Sequence, residues 1–223
     1  ETRLDIVTPA TTDPLSFALS PDGRQIVFVA SGDGPSRLWL RSLSATTAQP
    51  LAGTEGAATP FWSPDSRSVG FFVDGQLKRL DIGGGAPRTL ANSAFNRGGT
   101  WNADGVILFA KTTTGPLFRV SASGGESVAV TKLDRQNSHR WPYFLPDGRY
   151  FLFYAQGTTE TVGIYLGSLD SAETTRLTAA DTAGVYTPSG WLLWARAGTL
   201  VAQRLDVERK VLVGDSVTMT DTV

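Results

Sequence analysis

Leu19-Ser20-Pro21-Asp22-Gly23-Arg24 returns down the chain as Trp62-Ser63-Pro64-Asp65-Ser66-Arg67, Trp101-Asn102-Ala103-Asp104-Gly105, Phe144-Leu145-Pro146-Asp147-Gly148-Arg149 and Tyr186-Thr187-Pro188-Ser189-Gly190. From one Asp place to the next (22, 65, 104, 147, 189) the steps are 43, 39, 43 and 42 residues. A period of about 40 that holds several short strands is the mark of a β-propeller blade. Within each copy, Pro presets φ for the second place of a type I turn and Asp suits the third. Gly then takes the left-handed conformation that returns the chain as a hairpin.

Each motif therefore joins a first strand to a second. Ala18-Leu19, Phe61-Trp62, Thr100-Trp101, Tyr143-Phe144 and Val185-Tyr186 lead into it. Ile26-Val27-Phe28, Val69-Gly70-Phe71, Ile107-Leu108-Phe109, Phe151-Leu152-Phe153 and Leu192-Leu193-Trp194 follow it, each closed by an aromatic. Third strands are expected at Leu38 to Leu43, Leu77 to Ile82, Leu117 to Ala122, Ile164 to Leu169 and Leu200 to Leu205. Their apolar ends lie five residues apart and so on opposite faces, which requires cover on both sides of the sheet. Fourth, more polar strands at Gln49 to Ala52, Arg88 to Ala91, Val128 to Thr131, Thr175 to Thr178 and Lys210 to Val213 suit an outer edge. In this register Trp62, Trp101 and Trp194 are packing residues between blades.

The expected fold is an all-β propeller of five four-stranded blades, with repeats at about 15–57, 58–97, 98–139, 140–182 and 183–213. Residues 1–14 precede them and 214–223 follow. Leu4-Asp5-Ile6-Val7 reads as an extra outer strand, while Lys210 to Val213 already fills that place in the fifth repeat. The spare strand makes the chain an expected fragment of a propeller with six or more blades, residues 214–223 leading toward a missing one.

With 223 residues and 41% apolar content, the chain can bury a core without disulfides. It has no cysteine, which excludes thiol catalysis and cysteine-ligated zinc. Twenty basic against 21 acidic residues, with no basic run, argue against a nucleic-acid partner. No apolar stretch approaches the ~18 residues of a membrane span, so no membrane contact is expected of this segment itself.

The recurring Ser-Pro-Asp-Gly-Arg turns with their Ile-Val-Phe strands resemble the WD40-like Pro-Asp repeats of TolB-like β-propellers over about residues 15 to 213. More narrowly, His139-Arg140-Trp141-Pro142-Tyr143-Phe144-Leu145-Pro146-Asp147-Gly148-Arg149 with Gly163-Ile164-Tyr165-Leu166-Gly167-Ser168-Leu169 resembles the propeller that follows the kinase domain in bacterial eukaryotic-like serine/threonine kinases. The resemblance implies a sensor or protein-binding region on the extracytoplasmic side of a membrane-anchored bacterial protein. Ala103 in place of Pro, Ser66 in place of Gly and Ser189 in place of Asp depart from the pattern.

Catalytic signatures are sparse. The chain lacks a Gly-x-Ser-x-Gly elbow, a His-Arg-Asp catalytic loop and an Asp-Phe-Gly triplet, and His139 is its one histidine. On this basis it is expected not to be an enzyme, to have no catalytic or metal-binding residues and to need no cofactor. The expected function is a non-enzymatic propeller that binds a protein or a small polar ligand on one loop face. The alternative is the accessory propeller of a prolyl-oligopeptidase-type hydrolase or a TolB-like periplasmic interaction protein. The densest polar cluster is Asp134-Arg135-Gln136-Asn137-Ser138-His139-Arg140, between an outer strand and the next first strand, where connections line one end of a propeller channel. Asn137, His139 and Arg140, with Asn96 and Arg97 one blade earlier and Thr59 before that, are the candidate binding residues for an anionic or polar group.

Overall fold

The computed structural model describes residues 8–220, with Asp33 and the side chain of Thr220 excepted, so Leu4-Asp5-Ile6-Val7 lies outside the described residues. The described chain is all-β, without a helix, and forms five four-stranded sheets. In each, four consecutive strands lie side by side in chain order as an antiparallel meander, the blade of a propeller. The first blade is β1 (Phe17–Leu19), β2 (Gln25–Ala30), β3 (Arg37–Ser42) and β4 (Gln49–Pro50). The second is β5 (Ala58–Trp62), β6 (Ser68–Val73), β7 (Gln76–Asp81) and β8 (Arg88–Asn92), and the third β9 (Gly99–Trp101), β10 (Val106–Ala110), β11 (Leu117–Ser121) and β12 (Val128–Ala129). The fourth comprises β13 (Ser138–Phe144), β14 (Tyr150–Gln156), β15 (Gly163–Ser168) and β16 (Ser171–Thr178). The fifth comprises β17 (Val185–Tyr186), β18 (Trp191–Arg196), β19 (Thr199–Asp206) and β20 (Val211–Thr220).

The repeated turn closes as its chemistry requires. Gly23, Ser66, Gly105, Gly148 and Gly190 all have positive φ, from +59° at Ser66 to +88° at Gly190. In the first turn the Ser20 hydroxyl donates to Asp22 Oδ1 at 2.6 Å and accepts from the Gln25 N–H at 2.9 Å, and Ser63 repeats both contacts with Asp65 and Ser68. These serine hydroxyls are the leading cause that holds the Asp22 and Asp65 carboxyls below the usual carboxylate range. Where the third turn has Ala103 instead of Pro, buried Asn102 compensates. Its Oδ1 accepts from the N–H of Asp104 at 3.1 Å and of Val106 at 2.8 Å, and its Nδ2 donates to Gly148 O at 2.8 Å.

The chain divides into two compact units, Glu1–Asn96 and Arg97–Val223. In the first unit, Val27, Val29 and Leu38 of one blade pack on Trp62, Val69, Phe71 and Val73 of the next. The Trp62 indole N–H donates to Ala18 O at 3.0 Å, so its edge is satisfied while its face is buried. Leu38 belongs to this core, whereas Leu43 packs on Ile26 and Phe28 on the other face, as their odd spacing requires. In the second unit, Leu108, Ala110 and Leu117 meet Phe144, Phe151, Phe153 and Tyr165. A further layer joins Leu152, Ile164 and Leu166 to Leu192, Trp194 and Leu205.

Two boundaries differ from the sequence expectation. Ser138 and His139 already belong to β13, because the Ser138↔Gln156 and His139↔Ala155 pairs extend that strand upstream of the expected break at 140. At the other end β20 continues to Thr220, with Val217 opposite Ala202 and Thr220 opposite Leu200, so residues 215–220 prolong the fifth blade's outer strand.

Candidate functional site

The first strands of two blades share one irregularity. Pairing slips between Ala58 and Phe61 in β5 and between Arg140 and Tyr143 in β13, and the residues at the slips, Thr59 and Trp141, have φ of +45° and +51°. Gly98, with φ +85°, stands at the same offset from its turn in the third blade. A β-bulge of this kind bends the strand and re-aims the side chain that it carries. Thr59 and Trp141 are thus equivalent positions.

In the first unit, the Thr59 N–H donates to Ser16 Oγ at 2.8 Å, while Thr59 Oγ1 is buried and has no hydrogen-bond partner. Asn96 is exposed beside a small recess of about 150 Å³ between the 56–58, 72–75 and 93–96 stretches. In the second unit, Asn137 is exposed and donates its N–H to Gln156 O at 2.7 Å. His139 differs from the other candidates because it is buried, at 1% exposure. Its Nδ1 lies 2.8 Å from Thr131 Oγ1, its ring centroid is 4.5 Å from that of Phe153 and 6.5 Å from that of Tyr165, and its Nε2 has no partner. Burial among these groups pushes the imidazole down from 6.5 to about 4, which leaves it neutral at pH 7. His139 is therefore a buried side chain and not an exposed member of the polar cluster.

Arg97 and Arg140 come together. The Trp141 N–H donates to Arg97 O at 2.8 Å, which sets the backbones of the two arginine segments side by side. Arg140 Nε donates to Ser138 Oγ at 2.7 Å and one Nη reaches Thr113 O only at 3.5 Å, while Arg97 Nε is buried without a partner. Burial first, and then the Arg97 charge, push the Arg140 guanidinium below its usual range. Among the described residues no carboxylate pairs with either guanidinium. Two partly buried cations on neighbouring segments, without a carboxylate partner among the described residues, have the chemistry to accept an anion.

The rest of the polar cluster turns away from this pair. Asp134, Arg135 and Gln136 line a groove of about 830 Å³ with Glu160, Thr161, Tyr165 and Arg176. There Gln136 Nε2 donates to the Tyr165 hydroxyl at 3.3 Å, that hydroxyl to Thr161 O at 2.8 Å, and Arg176 to Val162 O at 2.8 Å. Among the described residues no three His, Cys, Asp or Glu side chains converge as a metal-ligand set.

Sequence reasoning missed Trp141, whose exposure of 36% contrasts with 6% for Trp62 and 4% for Trp194. The signal was available. Trp62, Trp101 and Phe144 hold one place in the repeat, and three residues before them stand Thr59, Gly98 and Trp141.

The fold is a TolB-like β-propeller. TolB from Acinetobacter baumannii superposes with a TM-score of 0.70 at 15% identity, over 88% of this chain and 52% of that one. An oligogalacturonate lyase solved in complex with manganese matches with a TM-score of 0.64 at 19% identity, over 91% of this chain and 64% of that one. In sequence, the chain is 29% identical over 154 residues to YuxL of Bacillus subtilis (strain 168), named an uncharacterized peptidase, covering 68% of this chain and 22% of that protein. The chain therefore spans about a fifth of that relative's length. No protein-family model matches it.

The expectation that the chain is not an enzyme is overturned by two of these comparisons, a relative named a peptidase and a structural neighbour that is a lyase. Motif counting failed for a physical reason. A propeller can be one part of an enzyme whose nucleophile lies on other elements, so a missing elbow within 223 residues does not exclude catalysis.

Proposed function

We propose that this chain is the recognition propeller of a peptidase-class protein, in which Arg97 and Arg140 hold an anionic group of the substrate while chemistry proceeds elsewhere in the protein. The observation that carries this is the pair of half-buried guanidiniums with no carboxylate partner among the described residues. The peptidase relative supports the class of the whole protein, and the propeller fold supports a role in presenting loops and strand ends to a ligand. Binding energy at such a remote contact positions the substrate without taking part in bond breaking.

The test is made on the whole protein with anionic and neutral peptides. Arg97→Gln and Arg140→Gln should each raise KM for the anionic peptides about tenfold, the loss of one charge-assisted contact, with kcat unchanged. A fall in kcat at unchanged KM, or equal effects on neutral peptides, would overturn the assignment. A second reading, the sensor propeller of a receptor-like kinase, is favoured by the His139 to Arg149 and Gly163 to Leu169 segments. It predicts phosphoryl transfer by the whole protein and no peptide cleavage.

A further inference from the structure

Two guanidiniums are not all that β13 and the segment leading into β9 bring together. Trp141 follows Arg140 in sequence, and Gly98 follows Arg97. The indole lies over Gly98 so closely that a Cβ there would come within 2.6 Å of Trp141 Cε3 and 3.0 Å of Trp141 Cα. Only glycine leaves that space, and at φ +85° only glycine takes that backbone without strain. Trp141 itself stands at φ +51°, a costly conformation for a bulky side chain, and it still leaves 36% of its surface exposed. Thr59, at the equivalent bulge, puts its hydroxyl into a buried position. The bulge explains the backbone at Trp141, but it does not explain an indole that keeps 36% of its surface exposed on a residue that follows Arg140 and hydrogen-bonds the Arg97 carbonyl.

We propose that Trp141, Arg97 and Arg140 form a binding site for an organic carboxylate that carries an aromatic or similarly flat apolar body. The indole takes the body and the guanidinium forks take the carboxylate, whose planar oxygens they match in pairs. This assignment rests on the reading of Arg97 and Arg140 as an anion site and adds to it the class of ligand. A free aromatic acid and the C-terminal residue of a peptide share that chemistry.

Calorimetric titration of the chain with acetate, inorganic phosphate, phenylacetate, phenylacetamide and glycyl-glycyl-phenylalanine separates the contributions. Phenylacetate should bind about tenfold or more tightly than acetate, and phenylacetamide should not bind. Arg97→Gln and Arg140→Gln should weaken acetate and phenylacetate alike. Trp141→Gly keeps the left-handed backbone without strain and should bring phenylacetate down to the level of acetate while leaving acetate unchanged. Trp141→Phe should restore most of the preference. Arg149→Gln, beyond the far end of β13, should leave all affinities as they are. Binding of the tripeptide as tight as phenylacetate assigns the site to peptide C-termini, and its exclusion assigns it to free acids. Phenylacetate no tighter than acetate, a preference for phosphate over phenylacetate, or a preference that survives Trp141→Gly overturns the assignment while the anion site stands. Failure of acetate and phosphate to bind at all removes the anion site as well.

Discussion

Lowering the pH from 7.5 to 5.0 should destabilise this protein through a single side chain. His139 is the only histidine in the chain, and it is buried against Phe153 and Tyr165 with one hydrogen-bonding neighbour, Thr131. No carboxylate contributes to its shift, and desolvation alone moves the imidazole from 6.5 to about 4. Because the folded-state value is depressed, the unfolded chain takes up the proton first as pH falls. Stability is complete above pH 6.5 and is lost progressively down to about pH 4. At pH 5.0 the unfolded imidazole is nearly fully protonated and the folded one is about nine-tenths neutral, which gives a loss of about 2 kcal/mol relative to pH 7.5. Aspartates with depressed values, such as Asp65 and Asp81, contribute stability that is lost only as pH falls below 3.8. They leave the chosen window clear.

Urea melts of the native chain and of His139→Leu at pH 7.5 and 5.0 measure this directly. The native midpoint should fall with a loss of about 2 kcal/mol, and the variant, whatever its absolute stability, should lose less than about 0.5 kcal/mol between the two conditions. A native chain equally stable at both pH values, or a variant with the same pH slope, would refute the burial argument. In the second case the pH dependence would come from groups other than His139 whose folded-state values are depressed.

Three further changes probe the packing and the turns. Phe71→Ala empties a fully buried position in the core of the first unit and should cost about 3–5 kcal/mol in the same melts. Asn102→Ala strips a buried carboxamide from two turn N–H groups and from Gly148 O and should cost about 2 kcal/mol, with faster amide exchange at Asp104 and Val106. Ser66→Gly relieves a left-handed non-glycine residue but removes the hydroxyl that accepts from the Asp22 N–H at 3.2 Å and frees the unfolded chain, so its net effect should stay within about 1 kcal/mol of zero; Ser66→Ala, which loses the contact without the relief, should be the less stable of the two.

The blades were legible because their information is local. Each turn is written in about six residues whose φ preferences and hydroxyl acceptors close the hairpin without help from the rest of the chain. Second strands such as Phe151-Leu152-Phe153 are apolar on both faces and buried on both, which a short continuous apolar run announces. The site was only partly legible. Charge and position single out Arg97 and Arg140, but the closeness of their backbones depends on the Trp141 N–H reaching Arg97 O, 44 residues away in sequence. Asp134 to Arg140 reads as one polar loop, yet β13 begins at Ser138 and turns His139 into the core. Thr59 was chosen for its place before a first strand, whereas its structural counterpart is Trp141, through a bulge that no hydrophobic pattern marks.

What distinguishes one blade from another lies in its departures from the repeat, and the departures are of two kinds. Asn102 beside Ala103 and Ser66 in place of glycine are repaired where they occur, the first by its own carboxamide and the second by a hydroxyl contact to the neighbouring turn. Trp141 is not repaired in that way. Its N–H is satisfied by Arg97 O just as that of Thr59 is satisfied by Ser16 Oγ, so the backbone tolerates the bulge in both blades. A threonine serves that geometry in the second blade, and a smaller residue would serve it in the fourth. The tryptophan leaves more aromatic area exposed than Trp62 or Trp194, and the neighbouring Arg140 guanidinium is partly desolvated, which opposes folding. A left-handed, partly exposed tryptophan and a neighbouring guanidinium without a carboxylate partner among the described residues are the two costs that the proposed carboxylate ligand would recover on binding.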